Sequence, residues 1–579
     1  MKYTLKYYRP YMFFMLLIIA VLFGQVMCEL ALPGYMSDII NKGIVKGDMD
    51  AIYHFGKIMI AVTFGGACCA VTCSFLASRI SAKSSRDIRR ALFRKVIFFT
   101  DAEMNEFSTA SLITRSTNDV QMVQQTSVMV FRLAFYAPIM GAGALIKALH
   151  TNVSLTWTIG LAVAVILCIM LLAFFLVMPR FRILQQKLDR LNLIIKERLS
   201  GLLVVRAFNM EKHEEERFDG SNMDLMKINV FVNRAMSLLM PSLMLIMNVS
   251  CVLIVWAGSK LIDANNMMIG DMLAFIQYAM QIIMSFLFIT MMFIMIPRAV
   301  VSGQRIGKVL ETEASVVDDK NAKDIPDPQG LIEFNDVSFA YPDAEKETLS
   351  HITFAARPGQ ITAIIGGTGS GKSSLVNLIP RFYDVTGGSI TIDGRDIRSM
   401  PQKALREKIG FVPQKNMLFS GTIASNLRFG NSQATDRELS EAAETAQALN
   451  FVNSKTDGFE EPVSEGGTTV SGGQKQRLAI ARTLVKKPNV YIFDDSFSAL
   501  DFKTDAALRK ALKSNVRNAA IIIVAQRINT IMDADQIIVM NEGNIDSIGT
   551  HKELLKTCSI YKEIAYSQLS EEELGKEPA

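Results

Sequence analysis

Six stretches in the first half of the chain are almost continuously apolar, at roughly 11–32, 55–78, 127–149, 152–178, 236–261 and 271–297. A helix needs about 20 residues to cross the hydrocarbon of a bilayer, so the pattern predicts six transmembrane helices. The second half follows another rhythm. After a polar, proline-bearing stretch at Glu311–Gln329, short strand-like apolar runs alternate with helical patterns up to about residue 567, as in an α/β domain. The expected division is a membrane domain with cytoplasmic coupling loops at 1–300, a linker at 301–330, an α/β domain at 331–567 and a disordered acidic tail at 568–579.

Charge orients this arrangement. Lys2, Lys6 and Arg9 precede the first apolar run, which is too long for a signal-peptide core and has no Ala-x-Ala site after it. It reads as a retained first membrane helix. Arg79, Lys83, Arg86, Arg89, Arg90, Arg94 and Lys95 separate the second and third runs, and Arg180, Arg182, Lys187, Arg190, Lys196 and Arg198 separate the fourth and fifth. By the positive-inside rule these loops, the N-terminus and the α/β domain are cytoplasmic. A net charge of +5 on 579 residues, without an arginine-rich or zinc-knuckle pattern, argues against nucleic acid as a partner. Six of the seven cysteines lie in apolar stretches and none has metal-ligand spacing with histidine, so they count as small hydrophobes.

The candidate chemistry is concentrated after residue 360. Gly366-Gly367-Thr368-Gly369-Ser370-Gly371-Lys372-Ser373-Ser374 follows the apolar run Ile361–Ile365 and opens a helical pattern, the context of a phosphate-binding loop. Its glycines let backbone amides point inward around phosphates. Lys372 would neutralise the β and γ oxygens, and Ser373 would offer its hydroxyl to Mg²⁺. Ser471-Gly472-Gly473-Gln474 precedes another helix, and Asp494 ends the apolar run Asn489–Phe493, where a carboxylate can hold Mg²⁺ through water.

With these motifs in this order, the chain resembles half-transporters of the ATP-binding cassette (ABC) exporter type. The resemblance implies a six-helix membrane α-helical domain fused to an α/β P-loop nucleotide-binding domain, with ATP and Mg²⁺ as cofactors. Val470–Gln474 matches the family signature, apart from valine for the usual leucine. It would clasp the γ-phosphate of ATP held by the opposite chain, through Ser471, Gly472, Gly473 and Gln474. Tyr341 matches the aromatic residue that stacks on adenine. Gln414, in Phe411–Gln414, matches the loop that touches Mg²⁺ and links nucleotide to membrane domain. Ser498–Asp501 resembles the loop crossing the dimer interface. Ser111–Asp119 and Lys196–Phe208 resemble the two intracellular loops, the second of which docks a short tip helix onto the opposite cassette.

Two positions depart from the family pattern. Asp495 stands where the family usually has the glutamate that positions or deprotonates the attacking water. A general base must lie about 2.6–3.2 Å from its proton, and one methylene less withdraws the carboxylate by about a bond length. Gln526 stands where the family has a switch histidine. Glutamine hydrogen-bonds a phosphate oxygen but neither becomes cationic nor relays a proton, and after His351 the only histidine is His551. The combination resembles the degenerate-site subunit of heterodimeric bacterial multidrug ABC exporters, which sit in the cytoplasmic membrane. It implies a slow ATP site on this chain's phosphate loop and a second half-transporter with intact glutamate and histidine as partner. The lipid bilayer surrounds both chains, and hydrophobic or amphipathic small molecules are the expected substrates. A lipid or peptide exporter and an ATP-gated, non-transporting regulator are the alternatives.

Within the apolar runs, Gln25, Glu29, Asn248, Gln277 and Gln281 are polar, and such residues usually face a bundle interior or a water-filled path. Glu29 is either a counter-charge for a cationic compound or a residue at the outer interface. Met280, Met284, Met291, Met292 and Met295 offer either an adaptable lining or ordinary packing.

Overall fold

A computed structural model describes residues 6–326, 328–342 and 344–569. The chain forms two compact units, Met1–Val96 with Ala110–Thr312, and Ile97–Thr109 with Glu313–Ala579.

Among the described residues, six helical spans are long and apolar enough to cross a membrane, and they make up nearly all of the first unit: Arg9–Ile44, Met49–Ile97, Thr109–Thr151, Val153–Ala207, Glu211–Asp263 and Ile269–Glu311. Each contains one of the six apolar runs and extends beyond it. Side chains such as Phe13, Ile60, Phe64 and Val71 are exposed, as expected of surfaces solvated by lipid tails. The first, third and sixth spans form a close-packed group. Small residues permit this: a β-carbon on Gly143 would lie 2.4 Å from Leu30, and one on Gly141 would lie 2.7 Å from the Ser285 hydroxyl. Polar clamps fix the two ends of the group. Ser37 donates to Asp271 at 2.6 Å, Asn41 donates to the same oxygen at 3.2 Å, and the Gly270 amide donates to Asn41 at 2.9 Å. At the other end, Ser302 and Arg305 both bond Asp119, at 2.8 and 2.6 Å.

The second unit is built on a six-stranded sheet. Its order is Asn544–Gly549, Gln536–Asn541, Ile361–Gly366, Ala520–Val524, Val490–Asp494, Ile409–Val412. All neighbours are parallel except the first pair. Val490–Asp494 and Ala520–Val524 are buried throughout, which is why they read as unbroken apolar runs rather than alternating ones. A four-stranded antiparallel sheet carries Ile332–Phe339 and Leu349–Ala356. The helices Ile423–Arg428 and Asp436–Thr445 pack on Gly472–Val485.

Two boundaries lie elsewhere than the sequence placed them. The sixth span continues helically to Glu311, so the stretch at 301–330 begins as helix. Beyond it, this stretch is tied down: Lys408 bonds Asp324 at 2.6 Å and Gln402 bonds the Val316 carbonyl at 3.3 Å. Local polarity made it read as a free connector, whereas its partners are remote in sequence. The second difference is the short helix Asp101–Phe107, which belongs with the second unit. Glu103 caps its N-terminus through Thr100 and also accepts from the Ser315 amide at 2.9 Å. Burial alone would raise the Glu103 pKa, but these hydrogen bonds hold it below the usual carboxylate value. The loop Ser111–Asp119, by contrast, belongs to the first unit. In the tail, Gln568 and Leu569 are ordered against the second unit; residues 570–579 lie outside the described part.

Candidate functional site

The phosphate loop runs from the end of Ile361–Gly366 into the helix Lys372–Leu378. Gly369 and Gly371 have φ of +84° and +93°, the left-handed region that glycine reaches without a β-carbon clash. A β-carbon on Gly367 would meet nothing within 4 Å, so the loop presents open backbone to a ligand. The buried Lys372 ammonium lies across it, donating to the carbonyls of Gly366 and Gly367 at 2.9 and 2.7 Å and to Ser370 at 3.4 Å. Burial lowers its pKa, and Asp495 and Asp494 oppose that shift. Ser373 donates to Asp494 at 3.0 Å. Burial raises the Asp494 pKa, while this bond and Lys372 pull the other way and the neighbouring Asp495 charge adds to the rise. The donor set of hydroxyl and carboxylate oxygens suits Mg²⁺, a hard cation.

Tyr341 stands beside this loop. Its hydroxyl is 2.9 Å from that of Ser374, and its ring packs edge-on against Phe339 and Tyr383. Thr368 lies in the same loop, within the turn that Ser370 closes onto the Gly367 carbonyl at 3.2 Å.

Parallel pairing brings the two atypical residues together. Val524 is in register with Asp494, and Val412 with Phe493. Asp495, Gln526 and Gln414 therefore emerge side by side at the carboxyl ends of three adjacent strands, the usual place for ligands in such sheets. Asp495 Oδ2 accepts from Gln526 Nε2 at 3.1 Å and from Gln414 Nε2 at 3.3 Å. Asp495 has φ of +46°, a conformation in which Asp is enriched among non-glycine residues. Burial raises its pKa, and the bond from Gln414 with the charges of Lys372 and Arg527 offsets part of that rise. His551 is engaged elsewhere: it is buried, with Nδ1 2.7 Å from the Tyr561 hydroxyl.

The signature forms the N-terminus of the helix Gly472–Val485. Ser471 and Gln474 cap it reciprocally, the Ser471 amide donating to Gln474 at 3.0 Å and the Gln474 amide to the Ser471 hydroxyl oxygen at 3.3 Å. The hydroxyl proton of Ser471 stays available. The amides of Gly472 and Gly473 have no acceptor within the helix, and they carry its positive end. A β-carbon on Gly472 would meet nothing within 4 Å, whereas one on Gly473 would approach the Ala499 carbonyl to 3.2 Å. Asp501 caps the following helix through Thr504 at 3.0 Å.

One residue at this site has no sequence signal. Gln568, at the end of the chain's last described helix, accepts from the Ile528 amide at 2.9 Å and donates to the Gln526 carbonyl at 2.8 Å. It pins both sides of the turn that carries Gln526. Gln568→Ala is expected to speed hydrogen exchange at Ile528 by up to about thirtyfold, the effect of losing two hydrogen bonds worth roughly 1 kcal/mol each. Unchanged exchange there would remove Gln568 from this role.

In the first unit, Glu29, Gln277, Gln281, Met280 and Met284 line one cavity of about 600 Å³. Met291, Met292 and Met295 do not line it, and Asn248 is exposed on the fifth span. The stretch Lys196–Phe208 breaks at Gly201, where φ and ψ are −103° and 15°. The break sets off a short terminal turn whose apolar residues are bare: Leu203 is 82% exposed and Phe208 73%.

Known proteins resemble the chain along its whole length. Residues 15–286 match the family described as the ABC transporter transmembrane region, and residues 349–498 match the ABC transporter family. An uncharacterised ABC transporter ATP-binding protein of Mycobacterium tuberculosis is 39% identical over 97% of both chains. One of Bacillus subtilis is 36% identical over 99% of both. A rat protein named mitochondrial potassium channel ATP-binding subunit is 32% identical, over 87% of this chain and 71% of its own. The solved structure of a bacterial Atm1-family ABC exporter with ATP bound superimposes with a TM-score of 0.78 and 23% identity, covering 97% of this chain and 99% of that one.

Proposed function

Because this chain belongs to the ABC transporter family, a multi-pass exporter half-transporter with its own ATP-hydrolysing cassette, we propose that it is the slow-site member of a heterodimer. It pairs with a second half-transporter that has the usual glutamate and histidine, and the pair extrudes hydrophobic or amphipathic compounds. Both termini and the cassette face the cytoplasm.

The observation that carries this reading is Asp495. One of its two carboxylate oxygens, Oδ2, already receives two amide donors, from Gln526 and Gln414. Water must displace an amide to reach it, and the carboxylate is one methylene short. Gln526 supplies a hydrogen bond in place of a charge. Such a site holds ATP: Lys372 on the β and γ oxygens, Tyr341 against adenine, and the loop amides from Gly366 to Ser374 around the phosphates. Ser373, Asp494 through water, and Gln414 would hold Mg²⁺, which when bound neutralises charge between the phosphates. The signature residues 471–474 are regular and would serve the partner's ATP. The bare apolar tip at Leu203 and Phe208 fits docking on the partner's cassette.

The test is steady-state ATPase of the co-expressed pair. Asp495→Asn lowers it by less than about threefold, and the partner's glutamate→Gln change lowers it about 10²-fold or more, as for loss of a positioned base. The isolated chain binds ATP but turns over slowly. Equal severity of the two changes, or turnover of the isolated chain equal to that of the pair, overturns the division of labour. The relative named as a channel subunit favours one second reading, an ATP-gated regulator without transport. Compound-stimulated ATPase in the pair argues against it.

A further inference from the structure

Glu29 sits on the first span with two neutral partners. Gln25 donates to Oε1 at 2.8 Å and the Tyr136 hydroxyl donates to Oε2. Among the described residues no lysine, arginine or histidine pairs with it. A carboxylate in a membrane span is costly to ionise without a counter-charge, and the described residues supply none. A second acceptor waits nearby. Gln281 spends its amide on the Glu29 carbonyl at 3.3 Å, and its own Oε1 is buried without a hydrogen-bond partner.

These groups lie in one cavity of about 600 Å³ formed by the first, second, third and sixth spans, within the range of small-molecule sites. Its walls are otherwise soft and apolar. Met36, Met59, Met140, Met280 and Met284 line it, and thioether side chains adapt to ligands of varied shape. Tyr136 and Phe288 meet at 6.1 Å, edge to face, at the same wall, so aromatic faces lie beside the carboxylate. One acid, aromatic rings and methionines make a place for a ligand with a single positive charge on an apolar body.

We propose that this cavity binds amphipathic monocations, with Glu29 as the counter-charge, which names a substrate class and rests on the exporter reading above. Tyr136 positions the carboxylate.

The experiment uses the complete transporter in nanodiscs without ATP, which separates it from the question of which ATP site is fast. Two fluorescent probes share one body: diphenylhexatriene, which is neutral, and its trimethylammonium derivative. Binding is read after subtraction of the signal from empty nanodiscs. Glu29→Gln is expected to weaken the charged probe by at least about tenfold, as for loss of one partly desolvated charge partner, and to change the neutral probe by less than about threefold. Retained neutral binding shows that the variant's cavity is folded. Glu29→Asp keeps the charge and keeps the preference for the charged probe. Equal loss of both probes, no loss of either, or a Glu29→Asp protein that behaves as Glu29→Gln would leave Glu29 a structural acid and overturn the proposal. Failure of the slow-site reading would appear in ATPase alone and leave these binding ratios unchanged.

Discussion

Gly472→Val lowers the steady-state ATPase of the complete transporter by about a hundredfold or more, the scale set by losing preorganised donors to developing charge. In the proposed pair, a side chain at the first helical position would stand where the partner-held γ-phosphate approaches the amides of Gly472 and Gly473. The structure makes this a clean experiment. A β-carbon at Gly472 meets nothing of the chain within 4 Å, and the cap from Ser471 to Gln474 does not involve that side chain. Folding stability should therefore move by no more than about 0.5 kcal/mol, as for a surface substitution. The same change at Gly473 would press on the Ala499 carbonyl at 3.2 Å and would confuse folding with catalysis. Retention of more than half the ATPase by Gly472→Val, with an unchanged melting temperature, would remove the signature from the partner's site.

Lys372→Ala abolishes nucleotide binding at this chain's own loop, weakening it by about a hundredfold or more, since it removes a charge-assisted contact to two phosphates. Here the folded state matters as well. The ammonium holds the Gly366 and Gly367 carbonyls together, so in binding ATP it exchanges carbonyl oxygens for phosphate oxygens. The measurement is titration of the isolated chain with a fluorescent ATP analogue, beside its thermal melt without nucleotide. Lys372→Arg keeps the charge and separates electrostatic loss from loop collapse. Unchanged affinity in Lys372→Ala would refute the assignment.

Much of this protein was legible in its sequence because the information is local. Six apolar runs each long enough to cross a bilayer specify six spans without reference to their neighbours. The phosphate loop, Gly366–Ser374, is one contiguous stretch from strand end to helix start, and the positive φ of Gly369 is a demand of that turn itself. The signature is likewise a contiguous helix start with its own cap. The departures at Asp495 and Gln526 could be seen as departures, since the positions are fixed by the strands before them.

What those departures do was decided by the sheet. Asp495, Gln414 and Gln526 meet because three parallel strands are in register, and pairing register is a property of the folded domain, set by burial on both faces. Gln568 reaches the Gln526 turn from 42 residues away, with no motif to announce it. The helix Asp101–Phe107 joins the cassette unit through Ser315, 212 residues from Glu103, although its sequence places it between two membrane spans. Glu29 illustrates the same limit. Its charge within an apolar run is plain from the sequence, but a counter-charge site differs from a solvated helix end only by what surrounds it. Tyr136, Gln281 and all of the methionine wall but Met36 come from three other spans, and helix packing in the folded unit brings them to one place. Sequence determined the six spans and the contiguous loop and helix-start motifs, because hydrophobic period and backbone demands act over a few residues; the tertiary structure decided which residues share an atom's reach, because that depends on packing between distant segments.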